Sequence, residues 1–284
     1  MNKYLTIFLG IILILSLSGC FRKFTMSEKE LNTYYKTHFP KPNFYSYDTL
    51  NRKIFYAYAN QNRLDLPLLI FIHGAPGAWY GYIHYLEDTF LLNRFRIISV
   101  DRVGYNHSMK GGVDVSIENQ ATYLLPLLKL RGNTNCVIAG RSYGAPIAAK
   151  MAAIQPNNIK ALLLISCAAD PEQEKFWWFS KPIYYPPLRW LFPTMIRYAS
   201  DEKFAHKKEL NKLLSSWKLV KQPAIILQGA KDFIIYPSNG KFTDSVLVNS
   251  PHKYKLLPEN GHLISNENPD IIRQSLNDLL LMMK

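Results

Sequence analysis

Residues 135–146 read NCVIAGRSYGAP, and no other segment constrains the fold of this chain as strongly. The apolar run before GRSYG is typical of a strand, and the alanine-rich run at 145–154 is typical of a helix. A turn this abrupt strains its central residue, and flanking glycines avoid Cβ clashes with the neighbouring strand or helix. The pattern therefore predicts that Ser142 lies in open space beside a helix N-terminus, where backbone N–H groups can stabilise an anion.

A serine becomes a strong nucleophile only when a base removes its proton and a carboxylate orients that base. Two candidates follow predicted strands downstream: Asp232 comes after the apolar run 224–228, and His262 comes after the run 254–257. The carboxyl ends of parallel strands are where open α/β sheets place their chemistry. Asp170, beyond the strand at 161–165, is a rival acid, and the serine–acid–histidine chain order favours Asp232.

A glycine-containing loop, HGAPG at 73–77, follows another strand-like run at 67–72. Such a loop can present a backbone N–H to a developing oxyanion, together with the N–H of the residue after the nucleophile. The predicted donors are therefore the main-chain amides of Ala75 and Tyr143. We interpret His73 and Asp101 as residues that hold loops in place through hydrogen bonds.

Strand and helix patterns alternate from residue 43 onward, after an opening hairpin over 44–59. Alternation of this kind predicts an α/β protein with a mostly parallel central sheet covered by helices on both faces. The rhythm breaks at residues 170–222, which we expect to form a small helical cap inserted after the sixth strand. The core would then comprise residues 43–169 and 223–284.

The predicted cap is rich in aromatic side chains, which include Trp177, Trp178, Tyr184 and Trp190. Small-molecule sites are usually lined by apolar and aromatic groups, so these four are candidates for a pocket above Ser142. Two alternatives stay open. The aromatics could pack the cap onto the core, or they could contact lipid, because Trp and Tyr favour membrane interfaces.

Five segments together resemble the α/β-hydrolase superfamily, in the form that carries a cap insertion. They are HGAPG at 73–77, DRVGYNHS at 101–108, GRSYGA at 140–145, GAKD at 229–232 and GHLISNENP at 261–269. The resemblance implies that Ser142 is the nucleophile, Asp232 the orienting acid and His262 the base. Three positions depart from the family pattern. Asn106 replaces a usual glycine, Arg141 a common histidine, and Ala75 the second glycine of the HGGPG form of prolyl aminopeptidases.

The N-terminus has a short basic start and an almost wholly apolar run at 4–17, which ends in LSGC at 17–20. A bilayer-spanning helix needs about 20 residues, so the run fits the apolar region of a signal peptide better. The ending resembles the lipobox of bacterial lipoproteins, which implies a signal peptide at 1–19, a lipid (palmitate) on Cys20 and a basic spacer at 20–42. Phe21 after the cysteine favours the outer membrane, where one exists. An uncleaved anchor is the alternative. Either way, we expect a protein of the bacterial cell envelope.

The formal net charge is +13, with an excess of cations in residues 21–63 and 171–221. This excess could favour anionic headgroups, or it could simply be a solvated surface. No nucleic-acid motif is present, so we expect no nucleic-acid partner. The sequence has neither zinc-ligand spacing nor a phosphate-cradling loop, so we expect no metal and no nucleotide cofactor. Cys136 and Cys167 lie on different predicted strands and are expected to be free thiols.

These observations predict a membrane-anchored serine hydrolase that cleaves a small-molecule carboxylic ester. A prolyl-aminopeptidase-like enzyme acting on a short peptide is the runner-up, and it would need a cap carboxylate for the substrate amine. The candidates for that role are Glu172, Glu174, Glu202 and Glu209. A binding module that has lost catalysis is a third hypothesis, which the intact set of Ser142, Asp232 and His262 disfavours. Dehalogenase and epoxide-hydrolase chemistry is disfavoured because those relatives use aspartate at the position of Ser142.

Overall fold

A computed structural model describes residues 26–132, 134–178 and 180–283. The predicted signal peptide and Cys20 therefore lie outside the described residues. Eight strands form one sheet in the order β1-β2-β4-β3-β5-β6-β7-β8. The strands are β1 (Asn43–Thr49), β2 (Arg52–Ala59), β3 (Leu68–Ile72), β4 (Arg96–Asp101), β5 (Cys136–Arg141), β6 (Ala161–Ile165), β7 (Ala224–Gly229) and β8 (His252–Leu257).

The pairs β1–β2 and β2–β4 are antiparallel, and every other neighbouring pair is parallel. The predicted mostly parallel sheet is confirmed. The helices are α1 (Glu28–Tyr34), α2 (Thr89–Leu92), α3 (Ile117–Leu124), α4 (Gly144–Ile154), α5 (Ser180–Tyr184), α6 (Thr194–Trp217), α7 (Ser238–Val246), α8 (Ile264–Glu267) and α9 (Pro269–Met282). Shorter 3₁₀ segments lie at Trp79–Leu86, Asn106–Ser108, Leu125–Arg131, Pro171–Gln173 and Leu188–Leu191.

Helices cover both faces of the sheet, as the sequence predicts. Successive side chains of a strand point to opposite faces, so the apolar runs of the central strands supply two separate cores. Ile70 packs on one face with α4 and with Trp217 of α6. Phe71 packs on the other face with Trp79 and α9. A strand that is buried on both sides must be apolar throughout, which is why β3, β5, β6 and β7 are recognisable from sequence.

The parallel strands end at one edge of the sheet. The register pairs Ile72 with Gly140, Arg141 with Ile165, and Gly229 with Leu257. The loops after β3, β5, β7 and β8 therefore emerge at the same edge of the sheet. These four loops carry the predicted site residues.

The β6–β7 segment, residues 170–222, contains α5, two 3₁₀ segments and the 24-residue helix α6. The C-terminal half of α6 packs into the core through Leu210, Leu213 and Trp217. Between residues 26 and 283, apart from the undescribed positions 133 and 179, no helix has both the length and the apolar character needed to cross a bilayer.

Two local features explain differences from the predicted elements. The residue pattern of 117–129 is that of one continuous helix, but the α-helix ends at Leu124 and the chain continues as a 3₁₀ segment over Leu125–Arg131. Pro126 has no N–H and crowds the preceding turn, so an α-helix is not sustained there. In the opening hairpin, Leu50 and Asn51 have φ of +46° and +62°, as a two-residue turn between twisted strands requires.

Candidate active site

Ser142 occupies a left-handed turn between β5 and α4, with φ of +53°. Its amide donates to Ile165 O at 2.9 Å, which ties the turn to the end of β6. A Cβ on Gly140 would lie 2.4 Å from Gly144 O, and a Cβ on Gly144 would lie 2.4 Å from Ile72 O. Only glycine fits at either position, so the predicted strand–serine–helix turn is present. Within the described ranges, the Ser142 hydroxyl forms no hydrogen bond with another residue.

His262 and Asp232 form a buried hydrogen-bonded pair, with 2.8 Å between Nδ1 and Oδ2. The other carboxylate oxygen of Asp232 accepts from the amides of Ile234 and Ile235 at 2.9 and 2.8 Å. Because both oxygens are fixed, the imidazole ring is fixed too. The carboxylate accepts from Nδ1–H, so the lone pair of a neutral ring lies on Nε2. The rival acid Asp170 instead caps the amide of Glu172 at 2.9 Å.

The loops that carry Ser142 and His262 are joined by two further residues. Ser166, which follows β6, donates from Oγ to His262 O at 3.1 Å. Arg141, one residue before the serine, donates to Ser265 Oγ and Asn266 Oδ1, each at 3.0 Å. Arg141 therefore connects the serine turn directly to helix α8 beyond the histidine. Sequence reasoning noted Arg141 only as a departure from a family pattern and missed this role.

The loop after β3 approaches the serine from the other side. A Cβ on Gly74 would lie 3.0 Å from Ser142 Cβ, so the two backbones are in close contact. Among the described residues, neither the Ala75 amide nor the Tyr143 amide has a hydrogen-bond acceptor. Ala75 follows Gly74 and Tyr143 follows Ser142, so both predicted oxyanion donors are next to this contact. Both amides remain available to a ligand oxygen.

Arg102 holds this loop by its carbonyls. Its Nε donates to His73 O at 2.9 Å and its Nη2 donates to Gly74 O at 3.0 Å. Its own amide donates to Nε2 of His73 at 3.0 Å. Burial, and then the positive charge of Arg102, lower the pKa of His73 well below its usual range, so the ring stays neutral and can accept. These contacts confirm the predicted structural role of His73.

Glu202 of helix α6 completes the support of Arg102. The Glu202 side chain is fully buried and binds the guanidinium through two hydrogen bonds of 2.6 and 3.0 Å. It also accepts from Tyr105 Oη at 2.6 Å and from Gln120 Nε2 at 2.8 Å. Burial has the largest single effect on the pKa of Arg102 and lowers it, but Glu202, Tyr105 and Tyr143 together outweigh burial and raise the pKa of the guanidinium. The β6–β7 segment is thereby linked to the loop after β3, a connection that residue patterns did not reveal.

The four glutamates expected to be free for a substrate amine are all paired. The Glu202 expectation is wrong, since Arg102 and Tyr105 occupy both carboxylate oxygens and the side chain is buried. The remaining pairs are Glu172 with Lys207 at 2.8 Å, Glu174 with His206 at 2.6 Å and with Lys203, and Glu209 with Lys212 at 2.6 Å.

The four aromatic side chains predicted to line a pocket above Ser142 do not share one environment. Trp178 and Trp190 are 86% and 73% exposed, which corrects the expectation for these two residues. Trp177 and Trp178 lie at an open cavity of about 540 Å³, together with Phe176, Lys181 and Phe204, and this cavity does not include Ser142. The prediction failed because aromatic composition does not reveal which side chains of a loop or a short helical segment point outward.

The two cysteines in the described ranges, Cys136 and Cys167, are buried free thiols, as predicted. Within those ranges, no group of three or more His, Cys, Asp or Glu side chains is arranged to hold a metal ion.

Comparisons with known proteins agree with this architecture. Residues 67–184 match the family model described as alpha/beta hydrolase fold. The AB hydrolase superfamily protein YfhM of Bacillus subtilis is 28% identical over 142 residues, which are 49% of this chain and 47% of that protein. Epoxide hydrolase 4 of Mus musculus is 28% identical over 102 residues, 35% of this chain and 28% of that protein. The chain thus spans less than half the length of these curated relatives.

Solved structures match over a larger share. A putative lipase from Acinetobacter baumannii has a TM-score of 0.69 at 20% identity, covering 91% of this chain and 97% of that chain. A membrane phospholipase A, titled a bacterial virulence factor, has a TM-score of 0.64 at 18% identity and covers 100% of this chain and 99% of that chain. At such identities the likeness establishes the fold alone. With the family match and the sheet order, it shows that this chain has the α/β-hydrolase fold.

Proposed function

We propose that this protein is a membrane-anchored serine hydrolase that cleaves carboxylic esters through Ser142, His262 and Asp232. The observation that carries the proposal is the buried His262–Asp232 hydrogen bond of 2.8 Å. It lies at the same sheet edge as the strained Ser142 turn, and Ser166 and Arg141 join the two loops. A nucleophile, a base and a group that orients the base are the parts that acyl transfer requires.

The reaction follows from these positions. His262 Nε2 takes the Ser142 proton as Oγ attacks the ester carbonyl, and Asp232 stabilises the resulting imidazolium. The amides of Ala75 and Tyr143 donate to the oxyanion, and the imidazolium then protonates the leaving alcohol. Water, deprotonated by His262, hydrolyses the acyl-enzyme and regenerates Ser142. The serine–histidine hydrogen bond is expected to form when substrate is bound, since such contacts often tighten only in the complex.

The identity of residue 142, a serine, favours ester hydrolysis over the epoxide-hydrolase and dehalogenase activities for which several relatives are named. Proteins named epoxide hydrolase and haloalkane dehalogenase match about one third of this chain. In the resemblance described above, those enzymes use aspartate where this chain has Ser142. A serine forms an acyl-enzyme with an ester, but it cannot supply the carboxylate oxygen on which the aspartate mechanism depends. The names of solved structures with the same fold, a lipase and a phospholipase A, accord with ester substrates.

The anchoring part of the proposal rests on the lipobox-like LSGC at 17–20. Lipid attachment at Cys20 would place the enzyme on the cell envelope. Metabolic labelling with radioactive palmitate tests it: the wild-type chain should incorporate label, and Cys20→Ser should not. Equal labelling of the two chains would refute lipidation at this residue.

The catalytic part is tested by initial rates on p-nitrophenyl esters of graded acyl length, with the full chain purified in detergent. We expect turnover that is lost in Ser142→Ala and kept in Ser245→Ala, a matched change at an exposed serine. A fluorophosphonate probe should label the wild type but not Ser142→Ala. Cleavage of a proline amide without ester turnover would identify a peptidase instead. Absence of both turnover and labelling would leave a binding module.

A further inference from the structure

The tryptophans of this chain are unevenly distributed. Of five in the sequence, Trp79 and Trp217 are buried in the two cores. The other three, Trp177, Trp178 and Trp190, all lie in the β6–β7 segment and expose 40%, 86% and 73% of their surface. Exposing a large aromatic ring to water is unfavourable, and concentrated exposure of this kind marks an interaction surface.

The exposed rings belong to one connected surface. Phe204 of α6 is stacked with Tyr184 at 3.9 Å between ring centroids, and it contacts Phe176 at 5.0 Å and Tyr185 at 5.9 Å. Phe204 also lines the cavity that Phe176, Trp177 and Trp178 share. Arg189 donates to Tyr184 O at 3.4 Å, so the Leu188–Leu191 segment, which carries the exposed Trp190, is tied to the end of α5. We call this surface the aromatic face, defined by Phe176, Trp177, Trp178, Tyr185 and Trp190.

Cations accompany the aromatic face. Lys175 Nζ lies 4.2 Å from the Trp177 ring centroid, and Lys203 Nζ lies 5.2 Å from that of Phe176. Lys181 lines the shared cavity. Residues 171–221 contain ten basic and five acidic side chains, and two of the acids, Glu202 and Glu209, are buried. The outward charge of the segment is therefore strongly positive.

Aromatic rings with a polar edge, flanked by lysines, match the chemistry of an anionic lipid surface. Trp and Tyr place their apolar bodies at the headgroup level while the polar group stays hydrated. Lysine stems cover apolar surface and keep their ammonium groups in water near the lipid phosphates. We propose that the aromatic face docks on the surface of an anionic bilayer. The docking uses neither the proposed triad nor the proposed lipid on Cys20, so it stands apart from the proposed hydrolysis.

The distribution of tryptophan supplies a direct assay. Residues 1–25 contain no tryptophan, so insertion of the N-terminus into a membrane does not itself change tryptophan surroundings. The experiment uses full-length Ser142→Ala protein, which keeps the aromatic face while turnover is abolished. Emission is recorded with vesicles of phosphatidylcholine alone and of phosphatidylcholine with phosphatidylglycerol. We expect a blue shift, and quenching by brominated acyl chains, with the anionic vesicles only.

Substitutions localise the effect. Trp178→Ser with Trp190→Ser should abolish the shift that vesicles induce in Trp177. Lys181→Glu should weaken vesicle binding about tenfold, because each cation near an anionic surface contributes to the attraction. Lys129→Glu, an equal charge change in the Leu125–Arg131 segment away from the aromatic face, should leave binding unchanged. High salt should weaken the wild-type response.

Three results would overturn the proposal. Emission unchanged by either vesicle would show that the face does not meet lipid. Equal effects of Lys181→Glu and Lys129→Glu would show that the positive charge of the face is not involved. A blue shift that rises with protein concentration without vesicles would assign the face to a second copy of this chain. A wild-type protein that failed to hydrolyse esters would change none of these outcomes, because tryptophan emission and vesicle binding are measured without turnover.

Discussion

Glu202→Gln removes one buried negative charge and changes little else in size. In the wild type, Glu202 accepts from Arg102, Tyr105 and Gln120 and is fully buried. The substituted amide keeps one acceptor oxygen, but its NH₂ group faces donors where the second carboxylate oxygen had been. Breaking a buried ion pair in this way costs about 3–5 kcal/mol, and retention of one oxygen favours the lower end. At about 2–4 °C per kcal/mol, a loss of about 3 kcal/mol lowers Tm by about 6–12 °C.

The rate of catalysis should also fall, through the loop at 73–77. We call it the oxyanion loop because it carries the proposed oxyanion donor Ala75. Arg102 holds His73 O and Gly74 O, and the proposed donor Ala75 is the next residue along the chain. If the released guanidinium allows this loop to shift, the upper limit of the effect is complete loss of one oxyanion donor. That loss reduces kcat by about 10²–10³-fold. Because the donor acts on the transition state, KM should change little.

Thermal denaturation and p-nitrophenyl ester kinetics, measured below the Tm of both proteins, separate the two effects. Glu172→Gln is the matched control, since its partner Lys207 lies on the same helix as Glu202, both side chains are exposed to water, and such pairs contribute at most about 1 kcal/mol. Unchanged Tm in Glu202→Gln would refute the energetic reasoning. Lower Tm with unchanged kcat would show that the ion pair stabilises the fold without positioning the oxyanion loop.

Three further predictions concern other parts of the structure. Arg141→Ala removes two hydrogen bonds between the serine turn and α8, so it should lower the unfolding free energy by about 1.5–3 kcal/mol in urea titration; an unchanged midpoint would contradict it. Burial raises the thiol pKa of Cys136 and Cys167 to about 12, so at pH 8 maleimide should label neither until denaturant is added, as mass spectrometry would show. Burial tends to raise the pKa of Glu174, but His206 and Lys203 outweigh burial and lower the pKa below its usual 4.5. Glu174→Gln should therefore have a lower free energy of unfolding than wild type above about pH 5. Urea titration at decreasing pH should show this difference disappear as acid protonates the native carboxylate.

The sequence was most informative where local pattern and function coincide. Ser142 could be identified because the turn that strains it also demands glycine on both sides, at Gly140 and Gly144. The strand Ala161–Ile165 was predicted with correct bounds, and the strand Leu68–Ile72 to within one residue, because strands buried on both faces are continuous apolar runs. Asp232 and His262 could be placed near each other because each lies in the loop after a strand, and the two strands are parallel neighbours that end at the same sheet edge.

Pairings between distant residues were not accessible in the same way. Arg102 and Glu202 are separated by 100 positions, and neither position has a local pattern that indicates its partner. The charge of a glutamate on a helix indicates a solvated surface as readily as a buried ion pair. The bounds of helix α6 were not predicted either, because its first half is only half-buried and its core residues, Leu210, Leu213 and Trp217, all lie in its second half.

Two paired carboxylates, Glu174 and Glu202, bear on the choice between the two substrate classes considered from sequence. Recognition of a substrate amine requires a carboxylate whose oxygens are free to accept from it, so availability matters more than residue type. Glu202 is fully used by Arg102 and Tyr105, and Glu174 is used by His206 and Lys203. A substrate amine that displaced Arg102 from Glu202, or His206 from Glu174, would leave a buried group unpaired. Binding of that amine would have to offset the unfavourable free energy of the unpaired group. An ester makes no such demand, since its carbonyl needs only the two main-chain donors. The pairing of Glu202 and Glu174 with other residues of the chain therefore favours the proposed ester substrates over peptides with a free N-terminus.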